Sequence, residues 1–415
     1  MLLSHKTTIQ LNTNYSNIVG HMCYAAYKLW NVCDYERNNY QTLGLTEYPD
    51  WYYQKKAHKD DLWYKNLPSQ TAQEVCKLLD KSWKSFYTLQ RNKTVENPQP
   101  PKFKHDLMPI TYMQKAIKHE PGSTIVRLSL PKQLMEYMKT AYGISDEFLF
   151  LENQIFRNTD TIKQIKIYPP EKDGTSSIIV IYELPDISFV PDNGHYLGID
   201  LGLHNLMTCY DNAGESFIVG RRYLDICHKY DKEIALIQSQ WDKVQAAKGV
   251  KYPKKSKHLL SLYTDRKNTV NDYLHKVTRW VANYCRDNHI SVVVIGDITG
   301  IRKDNNKGSV VNQKLHGLPY HQLYIKLQYK LALYGIRLIK QKEGYTSQCS
   351  PCTPAVSKEY ASGKSRVKRG LYKADSNIYN ADAVGAYNIL RLYLGNNYCL
   401  PVKGLSSPEV IKVAA

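Results

Sequence analysis

The stretch His195-Tyr196-Leu197-Gly198-Ile199-Asp200-Leu201-Gly202 decides how this chain folds. Apolar and small residues lead to one aspartate, and a glycine follows two places on. The chain continues as Leu203-His204-Asn205-Leu206-Met207-Thr208-Cys209-Tyr210 to a turn at Asp211-Asn212-Ala213-Gly214, and the whole reads as a β-hairpin. A carboxylate on a buried strand is costly unless it meets a metal or a cation. The alternative is an aspartate at a strand end facing water, so the rest of the chain has to decide.

With 415 residues the chain is long enough for two or three domains, each with a full core. Lys and Arg number 56 against 38 Asp and Glu, a formal net charge of +18 that points to a polyanionic partner, most simply nucleic acid. Its 34 tyrosines suit stacking on bases. No run is apolar enough to span a membrane, and Met1-Leu2-Leu3-Ser4-His5-Lys6 lacks the long apolar region of a signal peptide. Nine scattered cysteines, an odd number, do not look like a secreted disulfide framework, so a cytoplasmic location is expected.

Taken in order, residues 6–11 alternate like a short strand. Ile18, Met22, Ala25, Ala26, Leu29, Val32 and Cys33 then recur at helical steps between Tyr15 and about Asn39. A loop is expected around Pro49 and the aromatic cluster Trp51-Tyr52-Tyr53. Ser69 can cap a helix over 70–89, with Val75, Leu78, Leu79, Trp83 and Phe86 on one face. Pro98-Gln99-Pro100-Pro101 breaks the chain, and the basic Lys102-Phe103-Lys104 follows. From there to about 190 the reading is mostly β, with strands at 124–130, 161–168 and 177–183. A strand, a helical insert and further strands suggest a small barrel interrupted by a helical domain.

Pro185 and Pro191 flank the linker to a third region. After the opening hairpin and a strand at 216–219 come two long helices. Cys227, Tyr230, Ile234, Ile237, Trp241 and Val244 stripe the first; the second runs over 259–285. The loop between them carries Lys254, Lys255 and Lys257, either a solvated turn or a phosphate contact. Val292 to Ile295 form a buried strand ending in Gly296-Asp297, and a polar segment spans 302–308. A helix over 320–334 leads into a strand at 336–340. The tail after Leu394 carries no signal.

Two more acids complete a pattern. Glu343 sits just past the strand at 336–340, and Asp382 lies among Ala381, Ala383, Gly385 and Ala386, small residues that let a helix pack closely on a sheet. Carboxylates at strand ends and on an apposed helix are what two Mg²⁺ ions need, because hard cations take oxygen ligands. Such a pair activates water in phosphodiester hydrolysis. Folds of the ribonuclease-H type open on a strand like 195–202. So do ATPases of the hexokinase/actin type, but the glycine-rich phosphate loops those require are missing.

The motifs resemble the TnpB family of transposon-encoded, RNA-guided DNA endonucleases, relatives of type V CRISPR effectors. The resemblance is carried by Gly198-Ile199-Asp200-Leu201-Gly202, Gly296-Asp297, Tyr345-Thr346-Ser347-Gln348-Cys349-Ser350-Pro351-Cys352, and Asn380-Ala381-Asp382 with Gly385-Ala386-Tyr387-Asn388-Ile389. More weakly, Gln70-Thr71-Ala72-Gln73, Ser82-Trp83-Lys84-Ser85-Phe86 and Pro101-Lys102-Phe103-Lys104 agree. It implies an α+β multidomain protein. A wedge-type β-barrel would span 1–12 and 101–190, and a helical recognition insert 13–100. An RNase-H-like (RuvC) nuclease domain would cover 191–343 and 379–395. A target-nucleic-acid-binding insert at 344–378 and a tail at 396–415 would complete the chain.

The implied partners are a guide RNA made from the transposon end and double-stranded target DNA; neither a membrane nor an obligatory protein partner is expected. The cofactor would be two Mg²⁺ ions. The implied contacts to nucleic acid are Trp51, Tyr52, Tyr53, Lys102, Lys104, Lys254, Lys255, Lys257, Lys364, Arg366, Lys368 and Arg369. A nuclease-inactive RNA-guided repressor is the rival reading; retention of the acids argues against it.

Two departures from the family stand out. Its zinc finger uses two Cys-x-x-Cys pairs, but only Cys349 and Cys352 form one here, and the basic run 364–373 has no Cys or His. A closed zinc site wants four ligands, so a degenerate finger without zinc is expected. The family's second catalytic glutamate belongs where this chain has Gly296. Side chains alternate along a strand, so Asp297 should point away and serve as an auxiliary acid. Lys342-Glu343-Gly344-Tyr345-Thr346-Ser347 resembles a rearranged branch in which Glu343 completes the site with Asp200 and Asp382.

Overall fold

A computed structural model describes residues 1–93, 95–299, 317–362, 365, 368, 370–374, 377–395 and 398–414. The segment 302–308, with Lys364, Arg366 and Arg369, lies outside the described residues. The chain divides into two units, Met1–Asp186 and Ile187–Ala415.

In the first unit, strand β1 (Leu2–Gln10) leads to helix α1 (Thr13–Asn39), α2 (Trp51–Ala57), α3 (Leu62–Lys65) and α4 (Ser69–Asn92). The Asn12 side chain caps α1 by accepting from the Tyr15 amide at 2.8 Å. Of the expected stripe, Ile18, Met22, Ala25, Ala26, Leu29 and Cys33 are buried and Val32 is half-buried. On α4, Val75, Leu79 and Trp83 are buried but Leu78 is exposed, so that apolar face is narrower than its pattern suggests. Trp51-Tyr52-Tyr53 is not a loop. Asp50 accepts from the Tyr53 amide at 2.9 Å and starts a short helix there, which Pro49 and the bulky rings had masked.

The region after 101 is mostly β, as expected, but it also holds a helix that was not expected. Strands β2 (Ile110–Met113), β3 (Ile117–His119) and β4 (Ile125–Ser129) are followed by α5 (Lys132–Tyr142), β5 (Phe148–Glu152), α6 (Gln154–Arg157), β6 (Thr161–Ile167) and β7 (Thr175–Glu183). Only Leu134 and Met138 of α5 are buried, one turn apart, too sparse a stripe to read from sequence. Hydrogen bonding divides the strands into an antiparallel sheet β1-β7-β6-β2 and another, β3-β4-β5. The 3₁₀ turn Gln114–Ala116 carries the chain from one to the other. Among the described residues these ladders do not by themselves close a barrel.

In the second unit the central sheet takes the order β12-β11-β8-β9-β10-β15. Its strands are β8 (Tyr196–Asp200), β9 (Met207–Asp211), β10 (Ser216–Val219), β11 (Val292–Asp297), β12 (Arg337–Lys342) and β15 (Glu409–Ile411); β13 (Leu371–Ala374) and β14 (Asn377–Asn380) form a separate hairpin. β8, β11 and β12 are parallel, and β9 is antiparallel to β8 and β10. The turn at 212–215 therefore joins β9 to β10. The tail read as featureless supplies β15, parallel to β10, a strand too short to show periodicity.

Helices are α7 (Tyr223–Ala247), α8 (Lys257–Asp287), α9 (Tyr320–Ala332) and α10 (Ala381–Leu394). Leu197, Ile199, Val293 and Ile295 share one core with residues of α8 and α9. Val292 and Val294 face the other way, into a core built by α10. Gly198 lets that helix close in: a Cβ there would stand 2.5 Å from the Ala386 carbonyl oxygen. The stripe on α7 is only partly used. Ile234, with Tyr230 and Ile237 beside it, packs with Leu259 and Leu262 of α8, while Val244 is exposed. No helix among the described residues is long and apolar enough to cross a membrane.

Candidate active site

Alternation along β8 aims Asp200, like Gly198, at α10. There Gly385 makes room: a Cβ on it would stand 2.7 Å from Asp200 Oδ2. The side chain of Asn380 caps α10, accepting from the amides of Asp382 at 3.0 Å and Ala383 at 3.1 Å, and so fixes Asp382 in the first turn. Asp382 Oδ2 accepts from Asn205 Nδ2 at 2.7 Å, and Asn205 Oδ1 accepts from Arg221 Nε at 3.0 Å. This relay was not read from the sequence; its signal was the polar pair His204-Asn205 directly after the β8 loop.

β11 lies in register with β8 up to Ile295 opposite Ile199, so Gly296 comes level with Asp200. β12 pairs Gly296 with Gln341 and Asp297 with Lys342, and Glu343 is the next residue. Its carboxyl group fills the space where a side chain on Gly296 would begin. Glu343 Oε1 is buried and, among the described residues, has no hydrogen-bond partner. Burial, with Asp297 nearby, pushes its pKa up to about 7. Asp297 Oδ1 accepts from the Thr299 hydroxyl and from its amide at 3.0 Å, bonds that hold Asp297 below the usual carboxylate range.

The acids share one end of the sheet. Even so, among the described residues no three His, Cys, Asp or Glu side chains stand close enough together to hold a metal ion. Asp382 is tied to Asn205 and Glu343 is seated over Gly296. The donor set, carboxylate oxygens including one buried and orphaned, fits a hard divalent cation.

Beside Asp382 opens a cleft of about 790 Å³ lined in part by His204, Asn205, Arg221, Asp225 and Lys368. Of the basic run, Lys368 is thus placed next to the candidate site. Lys254, Lys255 and Lys257 are exposed at the α7–α8 turn, with Lys255 Nζ 4.1 Å from the Tyr263 ring centroid. In the first unit, Trp51 and Tyr52 rings lie 3.9 Å apart with Lys55 over both, Tyr53 is exposed, and Lys104 sits over Trp30. Lys102 is exposed and its carbonyl accepts from Trp30 Nε1 at 3.3 Å.

The cysteine pair is split. Cys349 is buried and its thiol donates to the Ser357 carbonyl at 3.3 Å, while Cys352 is exposed. The loop they belong to is held from α10. Asn388 Nδ2 donates to the carbonyls of Thr346 and Cys349, each at 2.8 Å, and Arg391 donates to the Thr353 carbonyl at 2.7 Å. Both side chains are buried.

A family model described as a probable transposase (OrfB_IS605) matches residues 179–302. The model for the TNB domain of Cas12f1-like proteins matches residues 320–389. The chain is 23% identical over 360 residues to the "Putative RNA-guided DNA endonuclease InsQ" of Escherichia coli (strain K12), covering 82% of this chain and 78% of that protein. It is also similar to Cas12f1 in a complex with sgRNA and target DNA, with 16% identity and a TM-score of 0.54, covering 90% of this chain and 81% of that one. At that identity the structural likeness speaks to the fold alone, a mixed α and β architecture of the Cas12 type. The TnpB-like character read from the motifs is matched by these family models.

Proposed function

We propose that this chain is a TnpB-type, RNA-guided, Mg²⁺-dependent DNA endonuclease encoded by an insertion sequence, with Asp200, Glu343 and Asp382 as its catalytic carboxylates. The observation that supports it best is the seating of Glu343 over Gly296, level with Asp200. The chain thereby supplies a carboxyl group where the family's glutamate is missing. Two Mg²⁺ ions, when bound, activate water and stabilise the leaving 3′-oxygen.

The chain's own part is positioning. Asp200 is pressed against α10 at Gly385, Asn380 fixes the turn that carries Asp382, and Asn205 orients the Asp382 carboxylate. Arg221 and Lys368 give the adjacent cleft the charge to draw in a phosphodiester backbone. Asp297, held by Thr299, is auxiliary. The first unit corresponds in this reading to a wedge-type barrel and its recognition insert, and the loop 344–378 to a zinc-free insert that binds target nucleic acid. A guide RNA from the transposon end would read the target by base pairing, the protein reading only a short adjacent motif.

The test is purified protein with its guide RNA, Mg²⁺ and a target plasmid. Guided cutting supports the reading. Guided binding without cutting leaves a nuclease-inactive repressor instead.

A further inference from the structure

Strand β9 carries a buried hydroxyl that no described residue satisfies. Thr208 is 1% exposed, and among the described residues its Oγ1 has no hydrogen-bond partner. Threonine suits a strand, but valine has nearly the same shape, suits it as well and buries no hydroxyl. A buried hydroxyl without a partner is destabilising, so its place in the sheet needs a reason.

The register supplies one. Side chains alternate along β9, so Met207 and Cys209 enter the core shared with α8 and α9, while Thr208 and Tyr210 face α10. Thr208 stands opposite Asp200 of β8 on one side and opposite Ile218 of β10 on the other. The Ile218 side chain offers no acceptor. Tyr210, next along the same face, already donates its hydroxyl to the Pro401 carbonyl. Asp200 is therefore the acceptor across the ladder. Directly opposed residues of an antiparallel pair hold their Cβ atoms about 4.5–5.5 Å apart. A rotation about Cα–Cβ, with a small shift of the carboxylate, turns that spacing into a hydrogen bond. Asp200 then has a wall on its helix side, at Gly385, and a donor on its sheet side.

We propose that Thr208 is a positioning residue of the nuclease site: its hydroxyl donates to the Asp200 carboxylate when a divalent cation engages that carboxylate, and so fixes its orientation. A carboxylate has lone pairs for both, on either oxygen. Outer contacts of this kind orient a ligand, and their loss lowers metal affinity about 10–100-fold. A bond to a charged acceptor is also stronger than a neutral one. The hydroxyl that destabilises the metal-free chain therefore stabilises the metal-bound one. Thr208 touches no reacting atom and acts through Asp200, so the inference rests on the reading of Asp200 as a metal ligand.

The test uses the full chain with Mn²⁺ as the probe. Calorimetric titration should show Mn²⁺ binding weakened about tenfold by Thr208→Val and kept near the wild-type value by Thr208→Ser, which retains the hydroxyl. In chelator, Thr208→Val should melt no lower than the wild type, because the group it removes has no partner there. With guide RNA and target plasmid, the Mg²⁺ concentration for half-maximal cutting should rise about tenfold in the valine variant. Wild-type Mn²⁺ affinity in Thr208→Val overturns the proposal. So does a serine variant that binds as weakly as the valine one. A valine variant that melts lower in chelator, or does not fold, overturns it as well, since the hydroxyl would then be structural. Asp200→Ala is the control. If it binds Mn²⁺ as tightly as the wild type, the reading of Asp200 as a ligand falls, and the role of Thr208 falls with it.

Discussion

Asp200 and Gly385 share one space: the Asp200 carboxylate occupies the volume beside α10 that only a residue without a Cβ leaves open. A half-buried carboxylate is thereby pressed against the helix that carries Asp382 one turn earlier. Gly385→Ala should push Asp200 off its position and lower cleavage by about 100-fold, the usual cost of a misplacement near 1 Å. Guided binding should persist. Wild-type cutting by this variant would show that Asp200 does not need its present seat.

Asp200→Ala, Glu343→Gln and Asp297→Asn separate ligands from auxiliary acids. With Mg²⁺ saturating, the first two are expected to be dead on a target plasmid and the third weakened. If Glu343→Gln cuts normally while Asp297→Asn does not, the two roles must be exchanged.

The insert should need no zinc. Asn388 and Arg391 already hold the 346–353 loop through its carbonyls, work that a metal does in a closed finger. After chelation, Mg²⁺ alone should restore full cleavage, and metal analysis of the purified chain should find no bound zinc. Asn388→Ala should loosen the loop and raise its proteolysis without changing metal content. A requirement for added zinc would overturn this account.

A buried polar network ties α1, α2 and α4 together. Arg37 donates to Asp80 and to Gln54, each at 3.0 Å, and Trp83 Nε1 donates to Asp34 at 2.9 Å. Removing one partner of a buried pair leaves the other uncompensated, so Arg37→Ala should cost about 3–5 kcal/mol in urea unfolding. A loss under about 1 kcal/mol would mean that Lys84, 2.8 Å from Asp80, already satisfies it.

His58 adds a pH dependence to the same unit. Burial alone would depress its pKa, but bonds to Glu36 and Asp61 outweigh that and raise it to about 9. A folded pKa above the unfolded value near 6.5 stabilises fully below that pH and fades as pH rises through about 9. The melting temperature should therefore fall across this window, and His58→Gln should flatten the fall. An unchanged slope would exclude His58 as its source.

What the sequence made legible were features tied to a period or to a costly residue. Asp200 and Asp382 could be singled out as candidates because each ends or abuts an apolar run where a carboxylate needs a reason, and Glu343 because it directly follows a strand. Asn205, Arg221 and Arg391 could not, since their partners lie 16 to 177 positions away and nothing local marks them. The helix at Lys132–Tyr142 was missed because two buried residues make too thin a stripe. The three-residue strand in the tail, Glu409–Ile411, offers no period at all.

The relation between Gly296 and Glu343 gives the sharpest test. A side chain on Gly296 would collide with the Glu343 carboxyl, so the two positions are alternatives for one acid. Gly296→Ala should expel Glu343 and abolish cleavage, although neither the lost hydrogen nor the added methyl touches a metal. Gly296→Glu alone should also fail, because two carboxyls would contend for one space. Glu343→Gly alone removes the acid and should fail too. Combined, Gly296→Glu with Glu343→Gly returns a glutamate to the level of Asp200 from the neighbouring strand. Cleavage should recover to within about tenfold of the wild type, a coupling that independent sites do not show. If the double variant is as dead as either single one while its guided binding is intact, Glu343 does more than fill the place left by Gly296.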